Sequence, residues 1–361
     1  MTKLGEVIRA EISASGPISV ERYMALALSH PEHGYYNAQA PFGAQGDFIT
    51  APDISQMFGE LVGLWSAEAW ISMGAPDRLR LVELGPGRGT LMQDALRAAR
   101  VSQQFYASLD IHMVETSAVL ERQQRAALAS TGLPFTWHRH LHDVPDGPAI
   151  IIANELFDAL PVRHYVRAAN GWHERCVGLG AGGELAFGLS PLVEAAISVR
   201  AAEGAILEIG AQGHQLMGVL AGRLAHQGGA ALIIDYGHAA TCLGETLQAM
   251  RQHRAVDPLA EPGLADLTAH VDFAGLARAA LAAGALVQGP VGQGMFLAEL
   301  GIFERAAALR QRATPQQAAA IGTGLLRLTQ GGAGMGELFK VLAVRHPSCP
   351  QLPGFSTFSG A

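Results

Sequence analysis

Cysteine is scarce. The 361 residues hold three, Cys176, Cys242 and Cys349, an odd number, far apart and without a C-x-x-C pair. That spacing excludes a disulfide frame and a zinc ribbon, and it predicts reduced thiols in a cytoplasmic protein. Basic residues are in deficit: 25 Lys and Arg against 32 Asp and Glu give a formal charge of −7, with no block of like charge. A surface that follows a phosphate backbone needs the opposite balance, so nucleic acid is not an expected partner. Long apolar runs are missing too. None approaches the roughly 20 residues that cross a bilayer, so no membrane span is expected. The first helical pattern carries Glu6 and Glu11 among Leu4, Val7, Ile8 and Ile12. A secretory signal starts basic and stays apolar, and a transit peptide avoids acids, so neither is expected.

Apolar residues, by contrast, make up 49% of the chain, enough for a substantial core, and 43 glycines without a period imply tight turns. Residues 3–30 read as two helices, and helix returns at 56–73 with Phe58, Leu61, Val62 and Trp65 on its buried side. This helical lead-in, residues 1–75, is expected to act as a lid. From 79 the pattern alternates strand and helix: strands at 79–84, 111–115, 135–138 and 149–154, helices at 90–100 and 117–130. Such alternation predicts an α/β, doubly wound, Rossmann-like parallel sheet over 76–361, with its ligand beyond the carboxyl ends of the strands. Two insertions interrupt it. Residues 162–204 alternate around Asn170-Gly171 and Gly182-Gly183 as a β-meander. Residues 238–284 are polar at first and helical from Phe273, a helical cap. Strands at 205–209, 230–237, 285–291 and 339–345 and two helices within 295–330 complete the sheet domain.

The most informative stretch is Leu79-Arg-Leu-Val-Glu-Leu-Gly-Pro-Gly-Arg-Gly-Thr90. Strand, glycine turn and helix follow directly, and such a turn admits a ligand to backbone N–H groups and a helix N-terminus. A dinucleotide fingerprint places glycines at i, i+2 and i+5; here they fall at i, i+2 and i+4, and position 90 is Thr. No Gly-Lys-Ser/Thr follows, which removes the P-loop. Another nucleotide, or a purely structural turn, stays open on this stretch alone.

Further acids stand at strand ends. Glu115 ends the second strand, where a carboxylate can accept both hydroxyls of a ribose, or can be a solvated acid. Trp137 and His138 end the third, where a ring can stack on a base or belong to the core. His138, His140 and His142 alternate on a strand, but without a carboxylate or cysteine partner no metal site is assigned. Asn154-Glu-Leu-Phe-Asp158 follows the fourth strand: Glu155 and Asp158 suit a cationic acceptor and Asn154 offers a carbonyl, while a helix cap is the alternative. Asp47, Thr50 and Asp53 lie in a polar loop rich in turn residues.

Taken together, Tyr23-Met24, His30-Pro-Glu-His-Gly-Tyr-Tyr36, Gly46-Asp-Phe-Ile-Thr-Ala-Pro-Asp53, Glu83-Leu-Gly-Pro-Gly-Arg-Gly-Thr90, Ala153-Asn-Glu-Leu-Phe-Asp158, Ile234-Asp-Tyr-Gly237 and Asp266-Leu-Thr-Ala-His-Val-Asp272 resemble the MidA-like methyltransferases that depend on S-adenosylmethionine (SAM). Mitochondrial members of that family are complex I assembly factors that dimethylate an arginine. The resemblance implies a class I methyltransferase fold with SAM as cofactor. It places Glu83, Gly85, Pro86, Gly87, Gly89, Thr90, Glu115, Thr50, His138 and Asn154 around the cofactor, and Glu155, Asp158, Asn154 and Asp47 in the catalytic set. It further implies a protein substrate, a complex I peripheral-arm subunit being the leading expectation, and a bacterial, cytoplasmic member; the oligomeric state stays open, a homodimer among the options. An assembly chaperone or binding module without catalysis and a small-molecule amine methyltransferase are the alternatives. Asp53 stands where the family has Glu, and Leu156 where Phe is common.

Overall fold

The structure is a computed structural model and describes residues 2–38, 49–332 and 334–356. The chain divides into two compact units. One comprises Met1–Phe48, Asp158–Gln215 and Ala240–Asp272, the other Ile49–Phe157, Leu216–Ala239 and Phe273–Ala361. The lead-in anticipated over 1–75 is therefore split: its first helices belong to the first unit, and helix Gln56–Ser72 to the second.

Among the described residues the second unit is built on the strands β1 (Leu79–Leu84), β2 (Leu109–Val114), β3 (Phe135–His138), β4 (Ala149–Asn154), β5 (Gly229–His238), β6 (Leu286–Gly292) and β7 (Phe339–Arg345). Their order is β6-β7-β5-β4-β1-β2-β3. The β3-β2-β1-β4-β5 stretch is parallel, and β7 runs antiparallel to both β5 and β6. The order reverses between β1 and β4, so the carboxyl ends of these two strands open a crevice. Every residue of β4 is buried, as its unbroken Ala-Ile-Ile-Ile-Ala run requires of a strand covered on both faces.

Helix Gln56–Ser72 packs on helix Thr90–Ala99 at two glycines. A Cβ on Gly59 would lie 2.7 Å from Asp94 Cβ, and one on Gly63 2.4 Å from the Ala95 carbonyl oxygen. Glu60, only 4% exposed, sits in the same contact. It accepts bonds from Arg305 (2.8 and 3.0 Å) and Arg97 (3.0 Å). Burial alone would raise its carboxyl, but these guanidinium bonds prevail and hold it below its ordinary value. The segment expected to hold two helices within 295–330 forms three, Gln293–Glu299, Ile302–Arg310 and Pro315–Thr329. Gly301, at φ +86°, and the Thr314 capping box interrupt the run. Helix Phe273–Ala282, placed in the second insertion from the sequence, belongs to the sheet unit.

The first unit holds helices Lys3–Ser15 and Val20–Ser29, whose Leu4, Ile8, Val20, Tyr23 and Met24 pack with Val162, Val177, Leu185 and Leu267. The meander appears as strands Arg163–Ala168, Gly171–Leu179 and Leu185–Val193. Ile206–Ile209 joins it, pairing antiparallel with Arg163–Ala168, and is not a strand of the parallel sheet as the sequence suggested. The cause is side-chain chemistry: Glu208 lies opposite His164, 3.0 Å from its Nε2, and also accepts the Thr246 and Leu247 N–H groups. A three-stranded sheet, Gln248–Arg251, Arg254–Val256 and Asp266–Thr268, fills much of the second insertion. Among the described residues no helix is long and apolar enough to cross a membrane.

Candidate active site

Between Leu84 and Thr90 the chain passes from strand to helix through three left-handed glycines, with φ +60° at Gly85, +55° at Gly87 and +82° at Gly89. A side chain would cost about 1–2 kcal/mol at each. A Cβ on Gly85 would also stand 2.8 Å from Leu156 Cδ1, so the turn after β4 lies directly on the loop. Pro86 accepts the Gly89 N–H at 2.8 Å, closing the turn. Gly89 caps the helix without a side-chain bond.

Strand register sorts the candidate acids by face. Glu83 pairs with Ile152 of β4 and Met113 of β2, and Met113 pairs with Trp137 of β3. Asn154 and Glu115 are two residues beyond Ile152 and Met113, so Glu83, Glu115, Asn154 and Trp137 share one face. His138 pairs with Val114 and lies on the other face, its ring 2.9 Å from His112 Nδ1. Trp137, not His138, is therefore the aromatic beside the acids.

Glu83 is buried, and burial pushes its carboxyl up to about 8 against the opposing backbone bond from Met92. Its Oε2 and the Oδ1 of buried Asn154 have no hydrogen-bond partner among the described residues. Two buried acceptors without donors are costly unless a ligand brings the donors. Glu115 accepts the Ser117 N–H at 2.7 Å and Gln124 Nε2 at 3.0 Å. Burial raises its carboxyl, and these bonds partly offset the rise.

Past β4, Glu155 adopts φ +49°. Its Oε1 accepts the Ala51 N–H at 2.8 Å and Asn154 Nδ2 at 3.2 Å. Fully buried Asp235, at the end of β5, receives the next two N–H groups, Leu156 at 3.1 Å and Phe157 at 2.9 Å, and so holds the turn in place. The short helix Ala51–Ile54 is tied at both ends, at Ala51 by Glu155 and at Asp53 by Arg88 and by Thr90 Oγ1 (3.3 Å). Thr50 precedes this helix and makes no side-chain cap bond. Thr50 and Thr90 thus gather with Glu155 and the glycine loop, while Asp47 lies outside the described residues.

Asp158 begins the second segment of the first unit and is 7% exposed. Its carbonyl accepts the Ala269 N–H at 3.0 Å. Tyr36 donates to Asp266 Oδ1 at 3.1 Å. Burial, then the neighbouring Asp266 and Asp158 carboxylates, raise the Tyr36 phenol well above its ordinary value. Gln124 escaped the sequence reading, because nothing local separates it from Gln123 and Arg125 on the same helix; so did the anchoring part played by Asp235.

A strand order that reverses at β1 and β4, with a left-handed glycine loop after β1 and an acid after β2, defines a class I SAM methyltransferase. The chain matches, over residues 61–291, the model of a family described as "Putative S-adenosyl-L-methionine-dependent methyltransferase", and it belongs to this family of SAM-dependent methyltransferases. Among curated relatives it is 38% identical to "Protein arginine methyltransferase NDUFAF7 homolog, mitochondrial" of Drosophila melanogaster, covering 94% of this chain and 84% of that one. It is 37% identical to "Protein arginine methyltransferase NDUFAF7, mitochondrial" of Homo sapiens, over 82% of this chain and 72% of that one. A protein from Burkholderia thailandensis crystallised with S-adenosyl-homocysteine superposes with a TM-score of 0.86 at 30% identity, covering 97% of this chain and 93% of that one. SAM is the cofactor, and the site suits it: the unsatisfied oxygens of Glu83 and Asn154 are acceptors, as an ammonium group requires.

Proposed function

We propose that this enzyme methylates an arginine of a protein substrate, a respiratory complex I subunit being the acceptor that the family resemblance implies. SAM supplies a methyl group on a sulfonium, ready for in-line displacement. In this reading the Gly85–Gly89 loop, with Pro86 and Thr90, receives its methionyl end. Glu83 and Asn154 accept the ammonium, Glu115 the ribose diol, and Trp137 flanks the adenine. Thr50 and the Ala51–Ile54 turn border the acceptor. Glu155 accepts guanidinium N–H groups and takes up the proton lost as the new N–C bond forms. Asp158 is placed in the catalytic set by the family resemblance. The free cysteines Cys176, Cys242 and Cys349 support placement in a reducing compartment such as the cytoplasm, and light scattering tests whether the chain forms a homodimer.

The observation that carries the catalytic assignment is Glu155 itself, a non-glycine residue held at φ +49° after the central strand. Strain of that kind, about 1–3 kcal/mol, persists where the surroundings impose it, characteristically at active sites. The decisive experiment incubates the protein with labelled SAM and cell lysate and identifies the product by mass spectrometry. Label on an arginine is expected, lost in Glu155→Ala and Asp158→Ala while S-adenosylhomocysteine still binds. Label only in protein-free extract would establish a small-molecule acceptor instead, and stabilisation of a partner without any label would establish a binding module.

A further inference from the structure

We infer that Gln124 is a positioning residue that orients Glu115, ties it to the glycine loop, and thereby sets how strongly the cofactor's ribose is held. The inference rests on the reading of Glu115 as the ribose acid. Gln124 lies in helix Ala118–Leu128, a polar residue with 0% exposure. Its Nε2 donates to the Gly87 carbonyl at 2.9 Å and to Glu115 Oε2 at 3.0 Å, and its Oε1 accepts the Trp137 indole N–H at 2.9 Å. The amide can face only one way. An indole N–H only donates and a backbone carbonyl only accepts, so nitrogen must point to Gly87 and Glu115 and oxygen to Trp137. Both donors of the amide are thus used.

One side chain consequently joins three parts of the cofactor cradle: the middle glycine of the loop, the acid that follows β2 and the aromatic of β3. Glu115 is gripped from two directions, by the Ser117 N–H on Oε1 and by Gln124 on Oε2, which fixes the plane of its carboxylate. The Arg125 guanidinium lies 3.9 Å from the centre of the Trp137 ring, so consecutive residues of the helix hold the indole by its edge and by its face. A network of this kind is worth keeping only if every member is satisfied, and Gln124 is the member that satisfies three others.

The test titrates S-adenosylhomocysteine and its 2′-deoxy analogue into the full chain by calorimetry, comparing the parent, Gln124→Met and Gln124→Glu. The parent should prefer the ribose compound by on the order of tenfold, the worth of one hydrogen bond to a charged group. Gln124→Met fills the same space without donors; it should bind the ribose compound more weakly and lose most of the preference, whereas loss of a merely structural residue would weaken both compounds alike. Gln124→Glu sets a second carboxylate against Glu115, so the pair shares a proton. Glu83 is retained in both proteins, so the variant's affinity should fall relative to the parent's as pH rises from about 6 to about 8.5. Should the methionine variant not fold, this difference in pH slope decides alone. An unchanged preference in Gln124→Met, or a parent-like slope in Gln124→Glu, overturns the role of Gln124. A parent that does not distinguish the two compounds overturns the ribose reading of Glu115 instead.

Discussion

Glu155 and Glu83 each carry a cost that folding alone does not repay. Glycine would relieve the left-handed backbone at Glu155, at the loss of the bond to the Ala51 N–H. The two effects are each about 1 kcal/mol and opposed. Glu155→Gly should accordingly leave unfolding free energy within about 1 kcal/mol of the parent by denaturant titration, while methyl transfer falls by about two orders of magnitude or more, the usual worth of a positioned proton acceptor. Glu83 has a sharper signature. Its folded value of about 8 lies above the ordinary 4.5, so the folded state holds a proton that the unfolded chain releases. Its contribution is most favourable below pH 4.5 and is lost as pH rises through about 8. The ligand-free parent should lose thermal stability across that window relative to Glu83→Gln, measured by melting temperature against pH. Identical slopes for the two proteins would remove Glu83 as the source.

Elements in contact make a different kind of claim. Helix Gln56–Ser72 approaches helix Thr90–Ala99 so closely at Gly63 that a methyl group would meet backbone atoms, the Ala95 oxygen at 2.4 Å and Cα at 2.7 Å. Neither can rotate away. Gly63→Ala should destabilise by about 1–3 kcal/mol, as overpacking does. Gly218, within helix Ala211–Gln227, has nothing within 4 Å of a built Cβ, so Gly218→Ala should stabilise by about 0.5–1 kcal/mol through helix propensity. Glu60 closes the same helical layer by accepting from Arg97 and Arg305. With its carboxyl held below the ordinary 4.5, that stability is present above pH 4.5 and is lost as pH falls below it. Glu60→Gln should cost about 2–3 kcal/mol at neutral pH, the worth of bonds to charged groups, and should melt with a flatter acid limb than the parent.

These elements also show where the sequence could be read. The parallel strands were legible because burial on both faces leaves near-continuous apolar runs, as in Ala149–Asn154. Strand Asp266–Thr268 was not: Asp266 and Thr268 are 5% and 6% exposed although polar, and only tertiary partners make that tolerable. In the candidate site, the glycine turn and the strand-end acid Glu115 were legible from spacing, and Glu83 from the family resemblance. Trp137 over His138 required the register, and Gln124 required three side chains and a loop brought together by the fold.

At the scale of the whole molecule, the charge of −7 acts over distances that contacts do not reach. The Debye length is about 10 Å at 0.1 M salt, so a net negative protein draws a cationic acceptor inward when salt is low and does so less as salt rises. Chemistry at half-buried Glu155, the proposed proton acceptor, is screened less than attraction across the surface. KM for an arginine-rich peptide acceptor should therefore rise several-fold between about 50 and about 300 mM salt, with kcat changed by less than about twofold. S-adenosylhomocysteine carries no net charge, and its affinity over the same range should stay nearly constant. Measuring transfer to the peptide and binding of S-adenosylhomocysteine in one salt series separates the two. A KM indifferent to salt would mean that charge does not bring the acceptor to the enzyme, and the case for a basic protein segment would fall while the SAM site stood.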